Sequence, residues 1–232
     1  MKDINQNEVA HNRLELQRRT SHPYYIHNAM LLETRLPDDV FKDLKNADCG
    51  ESEHHNLVGI VKDQFKLDIN KCPKFNKFLL KMANEFLFMR QQGGFINQLI
   101  KSFVSKQAFS ITPEEHFKLK VHGLWLNSME KGDYQPLHVH SGLFSFVTYI
   151  SIPYTLEDES KLNGHLQNHK NQNGCTEFVD PFTHDSLVMN VEKQIEQTIV
   201  IFPSWITHLV YPYRSEGRRV TVSGNIYIDK LL

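Results

Sequence analysis

Residues 117–127, FKLKVHGLWLN, begin the part of the chain that decides the fold. Apolar and polar residues alternate at the start of this stretch, and the turn pair Gly132-Asp133 follows it. Alternation with a period of two is typical of a β-strand with one buried face. Further short strands, separated by polar or Gly/Pro loops, are predicted at Phe144 to Pro153, Glu177 to Val179, Ser186 to Val191, Gln197 to Phe202, Leu209 to Tyr213 and Arg219 to Ile228. So many short strands in succession predict a jelly roll.

The N-terminal half is predicted to add a helical layer to this β core, which makes the fold α+β and mainly β. Apolar residues recur three or four apart from Phe75 to Met89, after Pro73 and before Gly93-Gly94, as in an amphipathic helix. Four other segments are predicted: a polar arm from Met1 to about Ser21, a strand and helix over Tyr24 to Ala47, a mostly irregular stretch from Cys49 to Asp68, and a second helix over Ile96 to Lys106. We therefore expect one compact domain, with residues 1–115 as arm and helical support and residues 116–232 as the β core.

Composition and charge narrow the classes of function. The chain of 232 residues has 26 basic and 27 acidic residues and a net charge of -1, so we expect neither a nucleic acid nor a membrane surface as a partner. The three cysteines are widely spaced and form no C-x-x-C pair, which argues against a disulfide framework or a thiolate zinc site. The N-terminus has no apolar signal segment, and no apolar run reaches about twenty residues. The expected location is the cytoplasm.

Three of the thirteen histidines stand out by their position. His138 and His140 are two residues apart at the entry to a predicted strand, so both imidazoles can face one cavity. His208 follows 70 residues after His138, between two predicted strands, and a jelly roll can bring both segments to the same mouth. Imidazole nitrogens suit Fe(II), and a facial set of three ligands leaves positions for a co-substrate and dioxygen. The spacing alone leaves a zinc site or chance open.

A longer series of residues resembles a family of 2-oxoglutarate/Fe(II) oxygenases found in bacteria and tailed phages. It consists of Trp125-x-Asn127, Gly132-Asp133, His138-x-His140, Asp180-Pro181, Phe202-Pro203-Ser204-Trp205-x-x-His208-x-Val210-x-Pro212 and Arg219-x-Thr221-x-Ser223-x-Asn225. The resemblance implies a double-stranded β-helix, Fe(II), 2-oxoglutarate and dioxygen, with kinship to prolyl hydroxylases. The cytoplasm would then be that of the cell or of an infected host cell.

One position departs from the wider superfamily, which binds iron with H-x-D or H-x-E and a distal histidine. In this chain His140 takes the place of the carboxylate. Either His140 is a neutral third ligand beside His138 and His208, as in three-histidine dioxygenases, or a carboxylate arrives from elsewhere, with Asp133 and Asp180 as candidates. We predict the three histidines as the metal ligands and catalytic residues. An imidazole in place of a carboxylate removes one negative charge from the metal, which alters its affinity and reactivity.

Arg219 is the predicted anchor for the second carboxylate of 2-oxoglutarate. It begins an alternating strand whose odd positions are polar, so one face of this strand turns to a polar cavity. A guanidinium can hold a carboxylate with two parallel hydrogen bonds, and a hydroxyl such as that of Thr221 can add another. By resemblance, Asn127, Tyr149 and Ser223 are further co-substrate contacts.

Together these residues predict a dioxygenase that uses Fe(II) and 2-oxoglutarate to hydroxylate a small molecule or a peptide, with release of succinate and CO2. Two alternatives stay open: a cupin-type enzyme that uses three histidines without 2-oxoglutarate, and a non-catalytic β-helix module for binding or structure. A structural zinc site is a third. The polar segment from Leu156 to Gly174 is predicted as an exposed loop near the rim, where it would help to select the substrate.

Overall fold

The computed structural model describes residues 21–26, 29–47, 49–52, 58–91, 117–162, 171–180 and 183–231. The predicted polar arm, up to residue 20, and the predicted helix over Ile96 to Lys106 lie outside these ranges. Inside them, no helix combines the length and the apolar character needed to cross a membrane.

Twelve strands and three α-helices make up the described parts of the chain, which is the mainly β architecture with a smaller helical component that the sequence predicts. In chain order they are β1 (Ser21–Ile26), β2 (Ala29–Arg35), α1 (Asp38–Lys45), β3 (Cys49–Ser52), β4 (Asp63–Leu67), α2 (Pro73–Gln91), β5 (Phe117–Met129), β6 (Gln135–His138), β7 (Phe144–Ser151), α3 (Leu156–Leu162), β8 (Thr176–Val179), β9 (Ser186–Met189), β10 (Thr198–Pro203), β11 (Thr207–Val210) and β12 (Arg219–Leu231).

The strands form two antiparallel sheets. The large sheet has eight strands in the order β1-β2-β10-β7-β12-β5-β4-β3, and the small sheet has four in the order β6-β11-β8-β9. Two antiparallel sheets with crossed-over connections are the architecture of a double-stranded β-helix, as the resemblance implies. The N-terminal half contributes strands β1 to β4 to the large sheet in addition to helices α1 and α2.

Strand β10 shows why the large sheet has an apolar core on each face. All six of its residues are buried, and successive side chains point to opposite faces. Ile199 and Ile201 belong to the core shared with the helices, whereas Val200 and Phe202 belong to the second core, which includes Phe178 of β8. A strand covered on both faces reads as a continuous apolar run, as this one does in the sequence.

The helical layer packs on the face of the large sheet opposite the small sheet. Phe86 of α2 is fully buried, and its ring centre lies 4.8 Å from that of Phe144 on β7. The start of α2 is held by Asp43 of α1, whose Oδ2 accepts hydrogen bonds from the backbone N–H groups of Lys74 (2.8 Å) and Phe75 (3.0 Å). This carboxylate satisfies donors that have no partner within the helix itself.

The prediction of an exposed loop over Leu156 to Gly174 is wrong for its first part. Residues 156–162 form helix α3, and Glu159 within it is fully buried. Polar composition misled the prediction because the Glu159 carboxylate is buried together with N–H donors that satisfy it, and a satisfied charge can lie inside a protein.

The register of the central strands decides which side chains meet. Thr221 of β12 lies directly opposite Asn127 of β5 on one side and Tyr149 of β7 on the other. In the small sheet, His208 of β11 lies directly opposite His138 of β6. Cross-strand partners on one face have closely spaced side chains, so each sheet brings its own polar group to the space between the sheets.

Candidate active site

Three imidazoles form a compact cluster at one end of the small sheet. The ring centres of His138 and His208 are 4.2 Å apart, and that of His140 lies 5.0 Å from each. One ligand nitrogen from each residue can be chosen so that all three lie within 4.8 Å of one another. The sequence predicts that His138 and His140 lie on one extended segment, but strand β6 ends at His138. His140 reaches the cluster from the following loop, where its backbone N–H donates to the Ser204 carbonyl (3.0 Å).

Backbone carbonyls orient two of the three rings. Nδ1 of His138 lies 2.7 Å from the Pro136 carbonyl oxygen, and Nδ1 of His208 lies 3.2 Å from that of Ile206. Because a carbonyl only accepts, we assign the proton of each neutral ring to Nδ1, which leaves the Nε2 lone pair free for a metal. The ring of His140 contacts Trp125, with 5.8 Å between the ring centres.

Burial keeps the cluster neutral. Loss of solvent lowers the pKa of His138, and it lowers the pKa of His140 to about 4, with a further contribution from the nearby His138. The pKa of His208 is held well below its ordinary value, again mainly by burial. Neutral imidazole is the form that binds metal, so at neutral pH these residues need not lose protons to become ligands.

Neither candidate carboxylate belongs to the cluster. Asp133 Oδ2 accepts hydrogen bonds from the backbone N–H groups of Lys62 (2.7 Å) and Glu130 (2.8 Å), and Asp180 Oδ1 accepts one from Thr183 (3.2 Å). Within the described ranges, the histidine trio is the one group of His, Cys, Asp or Glu residues with ligand atoms close enough for a shared ion.

Arg219 lies in the wall of the cavity that contains the histidines, and its side chain is almost completely buried. Its Nη1 donates to the Gly174 carbonyl (2.7 Å) and to the Tyr154 hydroxyl (3.2 Å), and its Nη2 is 3.4 Å from Thr176 Oγ1. Its Nε is buried without a partner. In the part of the chain described, no carboxylate forms an ion pair with this guanidinium. The site therefore contains a buried cation whose charge is not balanced by a contacting acid.

The other predicted co-substrate residues lie around this guanidinium. Asn127, Thr221 and Ser223 line the same cavity. Tyr149 lies behind the cavity wall, with its ring centre 5.8 Å from the Arg219 guanidinium carbon. Its buried hydroxyl interacts with Thr176, and burial raises its pKa above the ordinary value, so it keeps its proton.

Several residues of this site were missed in the sequence. Tyr154, Gly174 and Thr176 surround Arg219, and Gln64 Nε2 donates to Asn127 Oδ1 (2.7 Å). These residues could not be predicted as part of the site, because their roles depend on tertiary contacts that leave no local sequence pattern. Gln64 pairs directly with Asn127 of β5, a strand that the sequence already predicts to line the cavity. A polar residue in a strand next to β5 would have been a usable signal for Gln64.

A family model matches part of the chain. Residues 123–225 match the model described as "Putative 2OG-Fe(II) oxygenase". This region is therefore similar to the 2OG-Fe(II) oxygenases. The matched region contains His138, His140, His208 and Arg219, together with parts of the two strands, β5 and β12, that carry the cavity-lining polar residues.

The chain is also similar to solved structures at low identity. The chain resembles a prolyl-4-hydroxylase from Pseudomonas putida, with 12% identity, a TM-score of 0.45, and coverage of 96% of this chain and 100% of that one. It resembles AviO1 from Streptomyces viridochromogenes, with 11% identity, a TM-score of 0.49, and coverage of 96% of each chain. It further resembles the viral collagen prolyl hydroxylase of Paramecium Bursaria Chlorella virus-1, with 13% identity, a TM-score of 0.45, and coverage of 84% of this chain and 94% of that one. No curated protein matches the chain.

Proposed function

We propose that this protein is a dioxygenase that depends on Fe(II) and 2-oxoglutarate and hydroxylates a small molecule or a peptide. The proposal joins the oxygenase family of residues 123–225 to two features of the site. One is the neutral histidine trio, and the other is the buried guanidinium of Arg219 in the same cavity. The roles of both features follow from their chemistry.

In this proposal His138, His140 and His208 hold the iron. Three nitrogen ligands on one side of a metal suit Fe(II) and leave the opposite side for co-substrate and dioxygen. Three neutral imidazoles leave the full charge of +2 on the metal. The carboxylate at the 2-oxo acid end of 2-oxoglutarate would offset one of these charges, and the second carboxylate is left for Arg219. The rings of Phe178 and Phe202 lie 5.7 and 5.0 Å from that of His208, so the inner side of the cluster is apolar and excludes water.

The buried guanidinium beside the cavity carries the proposal. A buried cation is costly unless an anion compensates it, and Arg219 Nε is a buried donor without a hydrogen-bond partner. The second carboxylate of 2-oxoglutarate would supply the charge and the acceptor atom that this guanidinium lacks. Thr221, opposite Tyr149 in the register, adds a hydroxyl to the same place. Asn127 and Ser223 complete the polar wall.

Bound Fe(II), 2-oxoglutarate and dioxygen supply the oxidising chemistry, in which 2-oxoglutarate yields succinate and CO2 and one oxygen atom enters the substrate. The contribution of the chain is to fix the three ligand nitrogens, to anchor the co-substrate through Arg219, and to keep water away. His138 and His140 are only partly buried, whereas His208 is buried. The substrate is proposed to approach from the side of His138 and His140.

The histidine in place of the usual carboxylate favours one other candidate, a cupin-type dioxygenase that uses three histidines without 2-oxoglutarate. That enzyme would have no use for a buried guanidinium in the wall of the cavity. Binding of 2-oxoglutarate therefore separates the two candidates.

The test is an anaerobic titration of the Fe(II)-loaded protein with 2-oxoglutarate, followed by visible absorption and calorimetry. We expect binding of one 2-oxoglutarate per protein, dependent on Fe(II), and its loss in His208→Ala. A protein that binds Fe(II) but not 2-oxoglutarate would support the cupin-type candidate. A protein that binds neither would contradict both.

A further inference from the structure

Glu159 is a fully buried carboxylate outside the cavity wall, and it joins three segments of the chain. From helix α3, its Oε1 accepts a hydrogen bond from the backbone N–H of Ser215 (2.8 Å), and its Oε2 accepts from the backbone N–H of Arg214 (2.9 Å). Oε2 also accepts from Nδ2 of Asn173 (3.2 Å). Hydrogen bonds to an ionised acceptor are the stronger kind, so this carboxylate fixes the segments relative to one another.

Two of these segments meet at Gly174, next to Asn173. The Gly174 N–H donates to the Pro212 carbonyl (3.0 Å), which lies just before the segment that Glu159 binds. Its own carbonyl accepts from Arg219 Nη1 (2.7 Å) and from the Tyr154 hydroxyl (3.0 Å). No other residue fits at position 174, because its φ is +70° and a Cβ atom would lie 2.4 Å from the Tyr154 hydroxyl oxygen.

The Gly174 carbonyl therefore determines which N–H groups of Arg219 remain for a ligand. It engages Nη1, while Nε stays unpartnered. A displacement of this carbonyl would leave the guanidinium with two longer contacts, to the Tyr154 hydroxyl at 3.2 Å and to Thr176 at 3.4 Å, so it could rotate more easily. A guanidinium that can rotate loses the fixed geometry that makes bidentate binding of a carboxylate strong.

We propose that Glu159 is a positioning residue for the co-substrate, which holds Gly174 and thereby orients Arg219 toward the second carboxylate of 2-oxoglutarate. The inference rests on the proposed function. It assigns a role to a segment whose polarity suggests only a surface loop. The effect of Glu159 is expected on recognition of the second carboxylate and not on the metal.

The experiment compares two 2-oxo acids on the Ni(II)-loaded protein by calorimetry. Pyruvate has the same 2-oxo acid group as 2-oxoglutarate but lacks the second carboxylate. In Glu159→Gln we expect the Kd of 2-oxoglutarate to rise about tenfold, with the Kd of pyruvate changed by less than about twofold. The matched control is Asp43→Asn, which also removes a carboxylate that accepts two backbone N–H groups, but at the start of α2. It should leave both Kd values unchanged.

A milder variant, Asn173→Ala, breaks the link between Glu159 and Gly174 and keeps the experiment decisive if Glu159→Gln does not fold. It should show the same selective loss at smaller size, about threefold. An equal loss for both acids, or no loss for either, would overturn the positioning role while leaving the proposed function intact. A wild-type protein with no preference for 2-oxoglutarate over pyruvate would overturn the proposed function, and the inference with it.

Discussion

Replacement of Arg219 by methionine should separate co-substrate binding from folding. The substitution removes the guanidinium N–H groups that remain for the second carboxylate of 2-oxoglutarate, at Nε and Nη2. Two charge-assisted hydrogen bonds are worth about 3 kcal/mol together, so the Kd of 2-oxoglutarate should rise roughly 100-fold. Calorimetry on the Ni(II)-loaded protein measures this change, and the Kd of pyruvate provides the internal control because it should stay the same.

The Arg219→Met substitution should not destabilise the metal-free protein. Methionine removes a buried cation that contacts no acid, and the Gly174 carbonyl keeps its hydrogen bond from Tyr154 (3.0 Å). The free energy of unfolding in urea should therefore be unchanged or higher by about 1 kcal/mol. Two results would refute the proposed role of Arg219 as the anchor of the second carboxylate. One is a Kd of 2-oxoglutarate for Arg219→Met within about threefold of wild type, and the other is an equal loss of affinity for both 2-oxo acids.

Three further predictions concern the metal, the core and pH. His140→Ala should weaken Ni(II) binding by more than about 100-fold, while His140→Asp should restore much of it by supplying a carboxylate ligand; equal affinities in calorimetry would exclude residue 140 as a ligand. Phe86→Ala should lower the free energy of unfolding by about 3–5 kcal/mol, measured in urea, because its fully buried ring packs on Phe144, and Kd values for the folded variant should not change. Metal-free protein should lose thermal stability as pH falls from about 6.5 toward 4, because the buried histidines have a lowered pKa when folded, so the unfolded chain takes up more protons in this window. A melting temperature that stays flat or rises toward pH 4 would contradict this assignment.

Much of the β core could be predicted because the pattern of apolar residues in a strand reflects which of its faces are buried. The strand predicted from residue 117 onward is confirmed by β5. The strand predicted at Gln197 to Phe202 is confirmed by β10, whose six residues are all buried. The helix predicted from Pro73 is confirmed by α2, since its apolar stripe faces the sheet. In each case the local period reports which faces are covered.

Other features depend on contacts between distant parts of the chain and leave no local pattern. Helix α3 lies in a segment that is predicted as an exposed loop because the segment as a whole is polar. The burial of Glu159 in this helix depends on N–H donors 14 to 56 residues away. The role of Gln64 depends on its pairing with Asn127 across 63 residues. The order of the strands β3, β4 and β5 in one sheet is likewise a property of the assembled fold.

The most direct measurement is a crystal structure grown anaerobically with Fe(II) and 2-oxoglutarate. We predict one iron bound by His138, His140 and His208, with the second carboxylate of 2-oxoglutarate on Arg219. Iron held by a carboxylate such as Asp133 or Asp180, or 2-oxoglutarate bound away from Arg219, would contradict it.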